Sequence, residues 1–364
     1  MQTFIGSSFS KDVNTAVTEA TKGMSSPHMI LFFANYDMLK DVTDQLKALY
    51  PDVPTIGSCA ISYFEKDASD KKLIVIAFGK DAVVKVGVLR YLSTAPLYDI
   101  IGLKDAVKAV APGDSDTICL ELCTNDEERL VTTMNVALGE KGVTLVGGTV
   151  FGVPDGKKAY VAVDGQLYED ACCYAVIKNT SGKIRTYSEN IYRLKENAKR
   201  HIATKVNMKN KELVQMDYKP ASDVYANELG IPKSQIVDNV LENPLGRIIG
   251  DEVYICSQYG IGDGGSLINY KRFNENDTVS ILQLQDYVSI NEETRNKIKA
   301  ENPKISFVFS VNCIYRHLLF DQKNHLSRFM DDMGTLGPHV GIVGGGEQYR
   351  TQHVNQTMVC AVFD

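Results

Sequence analysis

The chain has 364 residues, of which 44% are hydrophobic and 23% charged, and its 39 Lys and Arg against 45 Asp and Glu give a net charge of −6. That length exceeds what one hydrophobic core comfortably organises, so we expect two domains or a set of repeats. A mildly acidic chain without a basic stripe argues against a nucleic-acid partner, and no window approaches the roughly 20 apolar residues of a membrane span.

The N-terminal residues, MQTFIGSSFS, lack the basic segment and apolar run of a signal peptide. Eight cysteines lie mostly in apolar segments, with no Cys-x-x-Cys pair and no His at zinc-finger spacing. We therefore expect buried free thiols in a cytoplasmic protein that does not insert into a membrane.

The first predicted unit is a strand, a helix and a second strand. These segments read MILFFANYD, MLKDVTDQLKALY and PTIGSCAISYF. Met38, Val42, Leu46 and Leu49 recur at helical spacing, which indicates one buried helix face. Two antiparallel strand candidates, KKLIVIAFG and VVKVGVLRYL, follow this unit.

The second unit repeats the plan with TICLELCT, NDEERLVTTMNVALGEKG and TLVGGTVFG. Asn125 or Asp126 can cap the start of its helix. Two further strand candidates, KKAYVAVDGQLY and ACCYAVIKN, follow, and Asp164-Gly165 predicts a hairpin turn in the first of them.

From Lys211 the pattern changes to a strand, a turn at Pro220 and a short helix capped by Ser222 and closed by Gly230. Residues 260–265, GIGDGG, match Gly-x-Gly-x-x-Gly, but strand-like residues follow them. A hairpin turn is therefore expected there instead of a phosphate-binding loop.

The third unit closes the chain. It reads as the apolar strand ISFVFSVNCIYRHLLF, a polar loop around residues 321–324, the helix HLSRFMDDMG and the strand HVGIVGGGEQY, followed by NQTMVCAVF. In all three units the second strand places Gly after Ile or Val, and a strand–helix–strand of this length suits a parallel crossover.

These patterns predict an α/β fold of mixed α+β composition, with repeated strand–helix–strand units and mixed sheets in two packed domains. We place the first domain at residues 1–200, with two related halves at about 1–97 and 98–192. The second domain covers residues 201–364.

A polar cluster follows the last apolar segments. Arg316 offers a planar fork for a carboxylate or phosphate, and Gly344–Gly346 let backbone N–H groups approach a ligand or form an anion-binding concavity. Asn355 and Thr357 are one strand pleat apart, so we expect them to share a face. The alternative is an internal Arg316–Glu347 ion pair that only orders the fold. The candidate ligand-binding residues are Cys313, Arg316, Gly344, Gly345, Gly346, Glu347, Asn355 and Thr357.

Other chemistries have weaker signals. No two histidines show metal-ligand spacing, so no protein-built metal site is expected, but a single His could be an axial haem ligand. His317, His339 and His353 lie nearest the glycine cluster. Cys313 could act as a nucleophile with His317 nearby, although only Arg316 is in sequence reach to stabilise its thiolate.

Five short motifs recur through the C-terminal half: PASDVYANELG (Pro220, Ala221, Tyr225, Leu229, Gly230), Pro244-Leu245-Gly246, Cys313 with Arg316, Gly341-Ile342 with Gly346-Glu347, and Asn355 with Thr357. In type, order and spacing they resemble the motifs of the FIST family of intracellular sensory proteins, which have an N-terminal and a C-terminal FIST domain. In the N-terminal half, Gly57-Ser58-Cys59 approximates the family's GCS-x-x-GE, without the following Gly-Glu.

The resemblance implies a non-catalytic cytoplasmic sensor for a small ligand, with amino acids or small carboxylates as the class. Its partner would be a separate signalling protein: a histidine kinase, a chemoreceptor or a cyclic-nucleotide enzyme. The second interpretation is a haem-binding nitric-oxide sensor of the FIST type, and the third is an enzyme that uses Cys313 or Glu347. No cofactor is expected outside the haem alternative.

Overall fold

The computed structural model describes residues 1–364, and its contacts divide the chain into two compact units. The larger, which we call the repeat unit, comprises Met1–Ser188, Glu293–His353 and Met358–Asp364; the smaller, the inserted unit, comprises Glu189–Glu292 and Val354–Thr357. The units are interleaved along the chain. The expected domains, by contrast, are consecutive, with a boundary between residues 200 and 201. That boundary stays a prediction.

The chain forms 27 strands and eight α-helices. In chain order the strands are β1 (Thr3–Ser8), β2 (Met29–Ala34), β3 (Thr55–Cys59), β4 (Ser62–Phe64), β5 (Asp67–Ser69), β6 (Leu73–Phe78), β7 (Ala82–Arg90), β8 (Thr117–Cys123), β9 (Thr144–Thr149), β10 (Val161–Val163), β11 (Gln166–Tyr168), β12 (Ala171–Asn179), β13 (Ile184–Asn190), β14 (Tyr192–Leu194), β15 (His201–Asn207), β16 (Glu212–Met216), β17 (Lys219–Pro220), β18 (Leu245–Ile249), β19 (Glu252–Cys256), β20 (Gln258–Ile261), β21 (Leu267–Asn269), β22 (Thr278–Leu284), β23 (Phe307–Cys313), β24 (His339–Gly344), β25 (Glu347–Tyr349), β26 (Gln352–Val354) and β27 (Thr357–Phe363). The α-helices are α1 (Val13–Ala20), α2 (Leu39–Leu49), α3 (Ile100–Val110), α4 (Glu127–Leu138), α5 (Ala221–Leu229), α6 (Tyr287–Glu301), α7 (Ile314–Gln322) and α8 (Leu326–Gly334).

Three six-stranded sheets share one strand plan. Sheet 1 has the order β1-β6-β2-β3-β10-β11, sheet 2 β7-β12-β8-β9-β25-β26, and sheet 3 β13-β27-β23-β24-β4-β5. The central pair of each sheet is parallel and is connected through helices, as β2–α2–β3, β8–α4–β9 and β23–α7–α8–β24. The predicted fold class and the three parallel crossovers are therefore confirmed.

The third repeat is as complete as the first two. It has its own leading strand β13, its own leading helix α6 and its own antiparallel strand β27, although β14–β22 and α5 lie between β13 and α6 along the chain. The sequence predicts only two related halves plus a third crossover, because this insertion separates the elements of the third copy.

Each repeat donates a hairpin to a different sheet. The β4–β5 hairpin of the first repeat pairs with β24 in sheet 3, β10–β11 of the second pairs with β3 in sheet 1, and β25–β26 of the third pairs with β9 in sheet 2. This cyclic exchange joins the second strand of every parallel pair to a hairpin of a neighbouring repeat.

The central strands are buried on both faces, which explains their nearly continuous apolar sequences. Leu31, Leu120 and Phe309 join one core to which all three sheets contribute. Successive residues point the other way, so Phe32 packs in a core with α1 and α2, and Cys119 in one with α3 and α4.

One glycine recurs at the same register in the second strand of each parallel pair. The pairs are Gly57 opposite Phe32, Gly147 opposite Glu121, and Gly341 opposite Ser310. A Cβ added at Gly147 would lie 2.2 Å from the carbonyl oxygen of Glu121, and one at Gly341 would lie 2.6 Å from Ser310 Oγ. The recurrent Ile/Val-Gly of the sequence is thus a packing requirement of the repeat.

Two predicted turns are confirmed. Asp164 and Gly165 connect β10 to β11 with φ of 48° and 86°, and Val163 lies opposite Gln166. Residues 262–266 connect the antiparallel strands β20 and β21, so GIGDGG belongs to a hairpin.

Two local predictions were wrong. Ser222 does not cap α5, because the helix begins directly after Pro220 and Ser222 is buried in its first turn. The apolar run at residues 305–320 is not one strand, since β23 ends at Cys313 and α7 begins at once. Its buried residues Arg316, Leu319 and Phe320 follow helical spacing.

The inserted unit is built on a nine-stranded sheet of order β19-β18-β22-β15-β16-β21-β20, with β14 on β22 and β17 on β16. Ala221, Tyr225 and Leu245 lie in its core, and the Tyr225 hydroxyl donates to the carbonyl oxygen of Asn243 at 2.6 Å. Gly230 ends α5 with φ of 66°, as predicted.

Candidate functional site

The candidate site lies at the carboxyl end of the parallel pair β23–β24. Cys313 is the register partner of Gly344 there. The chain leaves β23 at Cys313 and enters α7, so Arg316 falls in the first turn of that helix. Ligands of α/β proteins commonly bind outside the carboxyl ends of parallel strands.

Arg316 is fully buried, with 0% of its surface exposed. Its guanidinium carbon lies 4.6 Å from the ring centre of Phe320 and 5.3 Å from that of Phe329. Rings of α7 and α8 therefore hold the planar fork in place, and cation–π attraction contributes to that placement.

Tyr63, from the hairpin of the first repeat, reaches the same helix. Its hydroxyl lies 2.7 Å from Nδ1 of His317, and the two rings stack with centres 5.7 Å apart. Burial raises the pKa of Tyr63 and lowers the pKa of His317, so both groups are neutral near pH 7. This contact connects the segment after Gly57-Ser58-Cys59 to the Cys313–Arg316 motif.

Gly344–Gly346 form the crossing from sheet 3 to sheet 2. The N–H of Gly345 donates to the carbonyl oxygen of Thr149 at 2.9 Å, and the N–H of Thr149 donates to that of Gly346 at 3.0 Å. Gly346 has φ of 154°, and a Cβ on Gly344 would lie 3.0 Å from Val311 Cγ1. Tight packing accounts for Gly344 and positive φ for Gly346, and the Gly345 N–H already has a backbone acceptor.

Glu347 begins β25 directly after this crossing and is also fully buried. It lies opposite Gly148 in β9. Directly opposed residues share a face of the sheet, so Glu347 lies on the same face as Gly148. Val146, two residues before Gly148 on β9, points to that same face and belongs to the shared core. The carboxyl group is thus placed on the inner face of sheet 2.

Asn355 and Thr357 do not share a strand pleat as expected. The chain turns between them at Gln356, whose φ is 55°, and β27 begins only at Thr357. Both residues are buried and belong to the inserted unit, whereas Cys313, Arg316, Gly344–Gly346 and Glu347 belong to the repeat unit. The predicted cluster is therefore divided between the two compact units.

The profile of the FIST N domain matches residues 28–219, and that of the FIST C domain matches residues 221–350. The chain belongs to the FIST family. FIST domains are sensory, signal-transducing domains and not a catalytic family. No curated protein matches the chain.

The FIST motifs have different structural roles. Those of residues 220–230 and 244–246 build the core of the inserted unit, as the burial of Tyr225 and Leu245 shows. The Cys-x-x-Arg and Gly-Glu motifs lie at the carboxyl end of β23–β24. Gly57 is the repeat glycine of sheet 1, and the Cys59 thiol lies 3.8 Å from the carbonyl oxygen of Phe151.

The three histidines of the haem alternative lie in separate contacts. His317 bonds to Tyr63, His339 Nε2 lies 2.9 Å from Ser310 Oγ, and His353 Nδ1 accepts from Gln348 Nε2 at 3.0 Å. Burial lowers the pKa of His339 to about 4.

All eight cysteines of this FIST chain are free and buried, as predicted. Cys313, the residue of the enzyme alternative, is 2% exposed. Burial raises the pKa of Cys59 to about 12. No group of three or more His, Cys, Asp or Glu side chains is arranged to hold a metal ion, and no helix is long and apolar enough to cross a membrane.

Sequence reasoning missed a second buried polar cluster, on the helix-covered face of sheet 2. The Cys172 thiol donates to Glu121 Oε2 at 3.3 Å, and Gln348 Nε2 donates to Thr149 Oγ1 at 3.2 Å. Burial raises the pKa of Glu121 to about 8, so this carboxyl is protonated at neutral pH. The one sequence signal was a glutamate inside the apolar strand TICLELCT.

Proposed function

We propose that this FIST protein is a cytoplasmic sensor that binds an amino acid or small carboxylate at the carboxyl end of β23–β24. One observation carries the proposal: the pairing of Cys313 with Gly344 brings the elements of two fully buried, oppositely charged side chains, Arg316 and Glu347, to that end. Burying a charge is costly unless it is paired, so two such side chains are poor contributors to stability, which supports a binding role for them.

The chemistry of the two side chains fits an amino acid. A guanidinium packed against the rings of Phe320 and Phe329 can bind a carboxylate through two parallel hydrogen bonds. The Glu347 carboxylate is the complement of an α-ammonium group. A des-amino acid would satisfy only the arginine, which gives a built-in comparison between ligands.

The position also suits signal output. Gly345, Gly346 and Thr149 join the second and third repeats next to Glu347, and Tyr63 brings the first repeat to α7. A ligand here would therefore stabilise contacts between repeats. We propose that the occupied state is read by a separate signalling protein: a histidine kinase, a chemoreceptor or a cyclic-nucleotide enzyme.

Thermal unfolding with a panel of amino acids and their des-amino acids tests the site, because a bound ligand raises the melting temperature by mass action. Arg316→Lys keeps the charge but loses the fork, so it should abolish the shift for both ligand types. Glu347→Gln should weaken the amino acid more than its des-amino counterpart.

The matched control is Arg295→Lys, because Arg295 is a similarly buried arginine of the repeat unit that bonds to Asp332 at 3.0 Å. It should leave the ligand shifts unchanged. If folded Arg316→Lys responds like the wild type, Arg316 serves an internal ion pair with no ligand role and the proposal fails.

A further inference from the structure

A polar cleft separate from the β23–β24 site lies at the end of sheet 2 where β8 and β9 begin. Two adjoining cavities of about 470 and 370 Å³ share Thr186, Tyr187, Glu301 and Arg350 as lining residues. We call this place the Arg350 cleft. Its lining residues all belong to the repeat unit, and none of them is a candidate residue of the β23–β24 site.

The charge of the Arg350 cleft is opposite to that of the whole chain. Three of its lining cations, Lys141, Lys297 and Arg350, form no ion pair, and a fourth, Arg185, pairs with Asp364 at 3.5 Å. Among the lining acids, Asp114 is paired with Lys183 at 3.4 Å, which leaves Glu301 without a cation partner. Three free cations against one carboxylate create a positive potential that attracts anions.

The backbone of Arg350 is anchored at a turn, and its side chain is exposed to the cleft. It adopts φ of 54° at the turn between β25 and β26. Its N–H donates to the carbonyl oxygen of Leu145 at 3.0 Å, and its carbonyl oxygen accepts from Asn135 Nδ2 at 3.1 Å. The guanidinium carbon lies 5.1 Å from the ring centre of Tyr349. A cation placed by a fixed turn loses less freedom on binding than one on a mobile loop.

Hydroxyl groups line the same cleft. The Tyr187 hydroxyl donates to Glu301 Oε2 at 2.9 Å and accepts from Asn302 Nδ2 at 2.7 Å. The Tyr349 hydroxyl donates to the carbonyl oxygen of Thr186 at 3.1 Å. Further hydroxyls on the lining belong to Ser115, Thr117, Thr144, Ser188 and Thr294. Such a wall suits a hydroxylated ligand better than an apolar one.

We propose that the Arg350 cleft binds a phosphate ester of a small hydroxylated carrier, such as a sugar phosphate. Arg350 and Lys141 neutralise the phosphate, since guanidinium and ammonium groups are the usual phosphate partners in proteins. The lining hydroxyls and Glu301 form hydrogen bonds with the hydroxyl groups of the carrier. Each cavity alone lies within the range of about 300–1,000 Å³ of small-molecule sites.

Calorimetric titration of the full chain with ribose 5-phosphate, at constant ionic strength set by chloride, tests the inference. Ribose and inorganic phosphate are the two partial probes. We expect ribose 5-phosphate to bind at least tenfold more tightly than either of them. Arg350→Gln should weaken it by at least tenfold, and Arg350→Lys should weaken it less.

The charge-matched control is Lys22→Gln, because Lys22 is exposed, forms no ion pair and lines neither cavity. It should bind as the wild type does. Three results would each overturn the inference: no binding to the wild type, unchanged binding to folded Arg350→Gln, or equal loss in the control. Arg316→Lys should leave this binding intact, so the two sites can fail independently.

Discussion

The N–H of Gly345 donates to the carbonyl oxygen of Thr149 at 2.9 Å, across the junction between the third and second repeats. The N–H of Thr149 returns a bond to Gly346. Glycines flank this pair for two reasons: a Cβ on Gly344 would lie 3.0 Å from Val311 Cγ1, and Gly346 has φ of 154°. The same junction positions Glu347, so repeat packing and the proposed ligand site depend on one set of contacts.

Gly148→Ala should weaken this junction. A Cβ at Gly148 would lie 2.5 Å from Val311 Cγ1 and 3.3 Å from the carbonyl oxygen of Gly346. Overpacking of a filled core costs about 1–3 kcal/mol, so denaturant unfolding should show a loss of that size. Gly139→Ala is the control, because no atom lies within 4 Å of its added Cβ and its φ is −61°. An unchanged unfolding midpoint for Gly148→Ala would contradict the packing argument.

The three crossovers could be predicted because each joins an apolar strand to a helix whose buried residues recur at 3.6-residue spacing. The hairpin exchange could not, since nothing in β4, β10 or β25 specifies which sheet they join. Strand partners are set by packing over long sequence distances. The run at residues 305–320 failed as a strand because a continuous apolar segment has no periodicity that separates strand from helix.

The sequence indicates only those candidate residues that stand out from their neighbours along the chain. Arg316 and Glu347 stand out as charges beside apolar runs. The pairing of Asn355 with Thr357 assumed extended backbone, which the turn at Gln356 breaks. Tyr63 meets His317 across 254 residues, so no local pattern could indicate that contact.

Glu121→Gln should stabilise the protein increasingly as pH rises. Burial raises the pKa of Glu121 from 4.5 to about 8. The folded protein therefore keeps a proton on this carboxyl group that the unfolded chain releases above pH 4.5. The native state therefore loses stability between these two values, by up to about 1.4 kcal/mol per pH unit. Glutamine needs no proton to stay neutral and can still accept from Cys172.

Unfolding free energies at pH 5 and pH 8 measure this effect as the difference between variant and wild type. Glu140→Gln, on the exposed turn after α4, is the control and should show no such trend. A constant difference between Glu121→Gln and the wild type across this range would mean that the buried carboxyl does not titrate as argued.

Tyr63→Phe should remove a contact between the first repeat and α7. The lost hydroxyl leaves His317 Nδ1 without its partner in a largely buried place, which costs about 1–3 kcal/mol. A double-mutant cycle with His317→Gln should give a coupling energy of about 0.5–3 kcal/mol. Tyr36→Phe, whose hydroxyl bonds to the Lys158 carbonyl oxygen at an exposed position, should be close to neutral. Strict additivity of the first two changes would rule out the coupling.

Because of His201, the inserted unit should lose stability as pH rises, whereas acid denaturation destabilises a protein as pH falls. Its Nδ1 lies 2.6 Å from Asp217 Oδ2 and its Nε2 lies 2.6 Å from Glu228 Oε2. Burial alone would lower the pKa of His201, but the two carboxylates outweigh burial and raise it. The stabilisation is thus complete below the unfolded value of about 6.5 and disappears as pH rises through the folded pKa. Asp217, whose pKa is lowered, loses its own contribution only as pH falls through its folded pKa.

The melting temperature of the wild type should therefore fall relative to that of His201→Gln as pH is raised from 6 towards and past the folded pKa of His201. His28→Gln, at an unburied position, controls for the loss of any imidazole. The imidazole proton shifts of His201, followed by NMR across the same range, give its folded pKa directly, and a value at or below 6.5 would contradict the prediction.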